Sequence, residues 1–156
     1  MNECEKTRMD AASEGGSEPD YVVNISDKPK DKGLMIGLEK SNSSRTGAWV
    51  LLVNGISIGK EGELGALLMK NFFHALLSYE PLPQALVFIN EGVLLTCLDS
   101  PVLDCLNSLV AGGTAVASCR TSLEFHKLRM KHCTGSAVSM HNILDILSAA
   151  SKVVTL

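Results

Sequence analysis

A cysteine between a predicted strand and a predicted helix is the strongest candidate for chemistry in this sequence. A short apolar run ends at Cys119, and three polar helix-start residues, Arg120, Thr121 and Ser122, follow it. In open α/β sheets, functional groups lie beyond the carboxyl ends of the strands. The unpaired N–H groups and dipole of a helix start favour the thiolate, which is the nucleophilic form of cysteine. We therefore predict that Cys119 is the catalytic residue.

Basic side chains are concentrated directly after this cysteine. Four of the seven basic residues in 46–156 fall between Arg120 and Lys131, with Glu124 as the only acid there. The basic residues and neighbouring histidines are Arg120, His126, Lys127, Arg129, Lys131 and His132. An electropositive setting favours a thiolate and attracts anionic sulfur species. The alternative interpretation is a solvated basic loop beside a buried, inert cysteine, because buried cysteines are common.

The other thiols are weaker candidates. Cys97 lies in an apolar turn near predicted strand ends and is the candidate for a second reactive thiol. Cys105 falls in a helix and suits packing, whereas Cys133 lies near Cys119 in sequence and could resolve it as a disulfide. No Cys-x-x-Cys pair is present, and the histidines and cysteines form no recognised zinc pattern. We predict no metal site.

Motifs for cofactors and for serine hydrolases are weak or missing. The segment 59–65 resembles a phosphate loop only faintly, because it lacks the Gly-Lys-Ser/Thr ending and its glutamates would repel phosphate. A flexible turn into a helix is the favoured interpretation of that segment. The pattern Gly-x-Ser-x-Gly occurs once, at 55–59, but a Ser/His/Asp triad is not indicated. We predict no cofactor.

Composition and charge bound the class of protein. The 156 residues are 46% apolar with a net charge of −3, which suits a folded domain and argues against a nucleic-acid partner. Apolar runs are shorter than the ~20 residues of a membrane span, and the first residues lack the apolar core of a signal peptide. We therefore expect a cytoplasmic protein with no membrane contact. Residues 1–46 are predicted to be a polar, charged leader that is at least partly disordered, and 47–156 to be the folded domain.

Alternating strand and helix patterns predict an α/β fold. Continuous apolar runs bounded by turn signals indicate buried strands at 48–53, 84–89, 114–118 and 152–156. Three- and four-residue apolar spacing indicates helices at 64–79, 101–111, 121–128 and 139–150, with a short turn at 93–98 and a loop at 129–138. This order predicts a three-layer α/β/α architecture around a mainly parallel sheet.

Several short motifs resemble a known family. They lie at 59–65, 68–70, 82–83, 87–93, 100–103, 118–125 and 153–154. Together they make residues 48–156 resemble the DsrE/F-like domain of YedF-type selenium-metabolism proteins, a sulfurtransferase-like family. The family pattern at the reactive position is Cys-Gly-Thr-Cys. Here Cys119 is kept, while Arg120 replaces the glycine and Ser122 replaces the second cysteine, so two-thiol redox chemistry is not expected.

The resemblance implies sulfur handling by one thiol. Cys119 would carry sulfane sulfur, or selenium, as a persulfide and relay it to a partner thiol. Implied binding residues are Arg120, Thr121, Ser122, Asn90 and Gly59, and a homo-oligomer is expected. The alternative is a non-catalytic oligomeric interaction module with a structural cysteine, so enzymatic activity stays open. Family members also carry an N-terminal TusA-like domain with a Cys-Pro motif, which this sequence lacks; residues 21–38 would be at most a shortened remnant.

Overall fold

Five short strands form one parallel sheet in the computed structural model, which describes residues 48–156. The strands are β1 (Trp49–Val53), β2 (Ala85–Phe88), β3 (Ala115–Cys119), β4 (Ser136–Val138) and β5 (Lys152–Thr155). Their order across the sheet is β4-β3-β2-β1-β5, and all four neighbouring pairs are parallel. The predicted leader, residues 1–46, lies outside the described residues.

Helices connect the strands and cover the sheet. They are α1 (Glu63–Leu76), α2 (Leu103–Ala111), α3 (Arg120–Phe125) and α4 (Met140–Ala149). Because the chain steps from β1 to β2 to β3 in one direction, right-handed crossovers place α1 and α2 on the same face, where they contact each other. The connection through α4 runs back across the sheet to β5, so α4 lies on the opposite face. The predicted α/β class with a parallel sheet is confirmed.

The central strands are buried because helices cover them on both faces. All four residues of β2 are buried, as are Val50, Leu51 and Val53 of β1. Phe73 of α1 stacks on Phe88 of β2 with ring centroids 6.3 Å apart. Continuous apolar runs, rather than alternating ones, are what a parallel sheet of this kind requires.

The segment 129–138, predicted to be a loop, contains a short 3₁₀ helix at Arg129–Lys131 and the strand β4. This prediction was wrong because β4 has only three residues and lacks an apolar run. Its pairing with β3 depends instead on Gly135, which has a φ of 77°. A side chain there would overlap the carbonyl oxygen of Val116, so only glycine permits the close approach.

A 3₁₀ helix at Asn90–Thr96 directly follows β2 and begins earlier than the predicted turn. Its position depends on Gly92, whose N–H donates to the carbonyl oxygen of Asn54 at 3.3 Å. A Cβ atom on Gly92 would overlap the carbonyl oxygen of Val53. The absent side chain therefore lets this helix lie directly against the end of β1.

Ser100, Ser139 and either Thr121 or Ser122 suit helix N-caps by residue type, and the structure uses only Ser139 in that way. Ser139 caps α4, since its Oγ accepts from the Asn142 N–H at 3.3 Å. By contrast, α2 begins at Leu103, after a turn in which Ser100 Oγ accepts from the Val102 N–H. Helix α3 begins at Arg120, before Thr121 and Ser122, and ends at Phe125 rather than at about Leu128, so Cys119 itself is its N-cap residue.

Candidate functional site

Cys119 lies at the carboxyl edge of the sheet, where β3 becomes α3 without an intervening loop. Phe88 of β2 is paired with Ser118, which places Cys119 level with the start of the 3₁₀ helix that follows β2. As the last residue of β3 and the N-cap residue of α3, Cys119 is at the position that the sequence predicted. This edge is the usual location of functional groups in open α/β sheets.

Two other predicted site residues meet beside Cys119. The backbone N–H of Asn90 donates a hydrogen bond to Ser122 Oγ at 2.9 Å. Asn90 has a φ of 49°, a left-handed conformation that asparagine tolerates better than most residues. The bond fastens the segment after β2 to the first turn of α3, where Arg120 and Thr121 also lie.

Burial limits what Cys119 can do in this conformation. Its exposed fraction is 1%, it belongs to the hydrophobic core, and its thiol is free. No bond therefore joins Cys119 to Cys133. Helix α3 has only six residues and lacks a side-chain cap. Chemistry at this thiol requires that the side chain become accessible.

Gly59 lies on a different part of the carboxyl edge. It has a φ of 81° in the loop after β1, where the neighbouring Ile58 N–H donates to the carbonyl oxygen of Gly65 at 3.1 Å. Strand β2 separates β1 from β3, so the Gly59 loop starts about 10 Å away from Cys119, two strand spacings across the sheet. The structure thus brings Asn90 and Ser122 together and leaves Gly59 on a separate loop.

Cys97 and Cys105 are both held as protonated thiols. Cys97 is 2% exposed, its thiol donates to the carbonyl oxygen of Val93 at 3.2 Å, and burial raises its pKa although Lys131 partly offsets the effect. Burial also raises the pKa of Cys105, whose Sγ lies 3.6 Å from Nδ1 of His74 on the neighbouring helix. Neither thiol is in the activated state that nucleophilic chemistry requires.

A buried polar chain that the sequence did not single out lies next to Cys119. Ser118 is fully buried, and its Oγ donates to Thr96 Oγ1 at 3.1 Å, which in turn donates to the carbonyl oxygen of Val93 at 2.7 Å. Nε2 of His132 lies 3.1 Å from Ser118 Oγ. The available signal was one serine inside an otherwise apolar strand.

The direction of the hydrogen bonds from His132 through Ser118 and Thr96 excludes a nucleophilic role for Ser118. Each hydroxyl has one proton, and those of Ser118 and Thr96 are both used further along the chain. His132 must therefore carry its proton on Nε2 and donate it to Ser118 Oγ. An imidazole that donates to a serine does not activate that serine as a nucleophile, so this pair is structural.

Two of the basic residues that follow Cys119 in the sequence, Arg129 and Lys131, interact with different groups in the structure. Arg129 pairs with Glu124 at 3.0 Å, and both side chains are exposed. The charge of Lys131 lowers the pKa of Cys97 and so partly offsets the effect of burial. The backbone carbonyl oxygen of Lys131 accepts a hydrogen bond from the Leu98 N–H at 2.8 Å. The segment after α3 is thereby fastened to the end of the first 3₁₀ helix.

The described part of the chain contains neither a metal cluster nor a membrane span. Within residues 48–156, no three or more histidine, cysteine or acidic side chains are grouped so as to hold a metal ion. The helices in the same range are all too short or too polar to cross a bilayer.

Comparison with known proteins identifies the fold. A crystal structure of the YchN protein from E. coli superposes with a TM-score of 0.56 at 17% identity, covering 70% of this chain and 99% of YchN. The fold is DsrE/F-like. No family model and no curated protein matches the sequence. The more specific resemblance to YedF-type proteins stays a prediction.

Proposed function

We propose that this protein carries sulfane sulfur, or selenium, as a persulfide on Cys119 and relays it to a partner thiol. The observation that carries the proposal is the position of Cys119, at the junction of a central strand and a helix on the functional edge of a DsrE/F-like sheet. The bond between Asn90 and Ser122 orders the backbone beside the thiol.

The relay consists of two balanced displacements. The Cys119 thiolate attacks the terminal sulfur of a donor persulfide, a new S–S bond forms, and the donor's S–S bond breaks to release the donor thiolate. An acceptor thiolate then attacks the terminal sulfur on Cys119 and restores the Cys119 thiolate. Arg120, in the first turn of α3, supplies positive charge near these anions.

The burial of Cys119 implies that loading is coupled to movement of α3. With 1% of its surface exposed, the side chain cannot meet a donor protein in the conformation described. Helix α3 is short, and the Asn90–Ser122 bond ties its first turn to the 3₁₀ helix after β2. We propose that this turn opens for transfer and closes to shield the bound sulfur from solvent.

Intact mass after incubation with a persulfide donor tests the proposal. The parent protein should gain the mass of one sulfur atom, reversibly with a reductant, and Cys119→Ser should gain nothing. The matched controls Cys97→Ser and Cys105→Ser should load as the parent does, because burial keeps those thiols protonated. Undiminished loading of Cys119→Ser would show that the site is misassigned.

The burial of Cys119 also favours a second candidate, a non-catalytic interaction module that self-associates. Leu64, Leu67 and Leu68 are spaced by three and four residues on α1, and their exposed fractions of 69%, 54% and 42% make one exposed apolar patch on that helix. Under this alternative, Cys119 serves only as packing. A protein that forms a stable oligomer in sedimentation, yet loads sulfur on no cysteine, would fit the module and not the carrier.

A further inference from the structure

An apolar groove lies on the opposite edge of the sheet from Cys119. It begins at Trp49 and Lys152, the first residues of β1 and β5, which are paired neighbours in the sheet. Its volume is about 400 Å³, within the range of small-molecule pockets. The end of α1 and the segment after it form the other wall, through Phe72, Leu76 and Tyr79.

The aromatic wall of the groove is held in place without a ligand. The indole N–H of Trp49 donates to the carbonyl oxygen of Pro81 at 2.9 Å, which fixes the ring. Tyr79 packs edge-on against it, with ring centroids 6.2 Å apart at 89°. Leu76, only 4% exposed, lies beneath, while the Tyr79 side chain is 56% exposed. A fixed wall lowers the entropic cost of binding, because these side chains need not be ordered when a ligand arrives.

The charge at the rim of the groove is positive and comes from Lys152. Lys152 is the only charged residue among the described ones that line the groove, and it is exposed. The lining therefore combines three aromatic rings with one ammonium group. Rings favour an aromatic guest through offset and edge-to-face contacts, and the ammonium group favours an anionic head.

We propose that this groove binds a small aromatic carboxylate, with its ring against Trp49, Phe72 and Tyr79 and its carboxylate at Lys152. The site is separate from Cys119, because the two lie at opposite ends of the parallel strands. Its occupancy is independent of the sulfur chemistry proposed above. A ligand of this class would regulate the protein or be carried by it.

The test uses three probes with the same ring and different heads: 3-phenylpropanoate, 3-phenylpropan-1-ol and 3-phenylpropylamine. Trp49 is the only tryptophan in the chain, so its emission reports the groove directly in the full-length protein. The proposal expects a saturable change that is tightest for the carboxylate, weaker for the alcohol and weakest for the amine. Equal responses to all three, or no saturable response, would overturn it.

Substitutions in the groove sharpen the test. Lys152→Gln should weaken carboxylate binding up to about fivefold, the scale of an exposed ion pair, and leave the alcohol unaffected. Tyr79→Ala should weaken all three probes. The matched controls are Lys60→Gln, an exposed lysine outside the groove, and Phe125→Ala, a 67% exposed ring on α3. Neither control should change binding.

The groove has other conceivable occupants, and the same measurements separate them. A second copy would make the Trp49 emission depend on protein concentration in parallel with sedimentation. A segment of residues 1–47 would keep the probes out at every protein concentration. Either result would contradict the proposed ligand, whereas saturable carboxylate binding that is weakened in both Lys152→Gln and Tyr79→Ala would support it.

Discussion

His132 Nε2 and Ser118 Oγ lie 3.1 Å apart, with the imidazole as the donor. Burial lowers the pKa of His132, so the folded protein holds the ring neutral. Next to this contact, Cys97 and His132 form an isolated antiparallel β-bridge, which joins the end of the first 3₁₀ helix to the segment before β4. The packing around Ser118 of β3 therefore depends on His132 staying neutral.

Stability should fall as the pH drops below about 6.5, in part because of His132. The unfolded imidazole, with a pKa near 6.5, takes up a proton before the folded one does, so the stabilising contribution is complete above that pH and is lost below it. Urea unfolding between pH 5 and about 7.5 measures the effect. In His132→Gln, which keeps a donor for Ser118, the pH dependence should be shallower.

The control for this prediction is the exposed histidine His141. His141→Gln should keep the pH dependence of the parent, because it leaves the contact between His132 and Ser118 in place. An identical slope in His132→Gln and the parent would contradict the role given to the buried ring.

At alkaline pH the buried thiols should contribute to a loss of stability. Burial raises the pKa of Cys97 above 9.0, so the unfolded thiol ionises first and stability is lost as the pH rises past about 9. Cys97→Ser keeps a hydroxyl donor for Val93 but does not titrate there, so the free energy of unfolding should fall less steeply from pH 8 to 10. Cys105→Ser should remove a further part of this pH dependence, since burial also raises the pKa of Cys105.

Gly92 should tolerate no side chain. Gly92→Ala places a Cβ against the backbone of Val53, which cannot move without disturbing β1, and overpacking of this kind costs about 1–3 kcal/mol. Gly55→Ala is the matched control, because its Cβ would meet only ordinary contacts at 3.9 Å or more and should change stability by at most about 0.5 kcal/mol. Chemical denaturation compares the two variants, and equal midpoints would refute the packing argument.

Ser122→Cys should restore a two-thiol pair. Cys119 is the N-cap residue of α3 and Ser122 occupies its third helical position, and side chains at these two positions lie close together. Mild oxidation should therefore remove two free thiols within one chain, as counted by alkylation and mass under denaturing conditions. In the control Thr121→Cys, the new thiol lies on the exposed side of the turn and no internal disulfide should form.

The strands and most helices were predictable because burial on both faces of a parallel sheet leaves a strong apolar signal. Ala85 to Phe88 is an uninterrupted run of this kind. The strand Ser136–Val138 was not predictable, since its place depends on the close approach of Gly135 to Val116, a contact between distant parts of the chain. The start of helix α3 differs from the prediction because the chain enters the helix directly after Cys119, without a side-chain cap.

The site was predictable only as a position along the chain. The order of strand, cysteine and helix located Cys119, but not its burial, which depends on how the whole core packs. The contact between Asn90 and Ser122 joins residues far apart in sequence, and no local pattern encodes it. The basic residues after Cys119 predicted an electropositive setting, but the sequence did not predict that Arg129 pairs with Glu124 or that the charge of Lys131 acts on Cys97.

The pairing of β5 with β1 has a consequence for how the chain folds. Trp49 and Lys152 are neighbours in the sheet although they are about 100 positions apart, and pairings of such long range slow folding because the intervening loop must first be closed. The β1–β2–β3 unit can assemble through two shorter crossovers, with β5 still absent. We therefore expect an early state in which β1 has a bare edge, and the last strand to arrive covers that edge and becomes a short, mostly exposed edge strand of four residues.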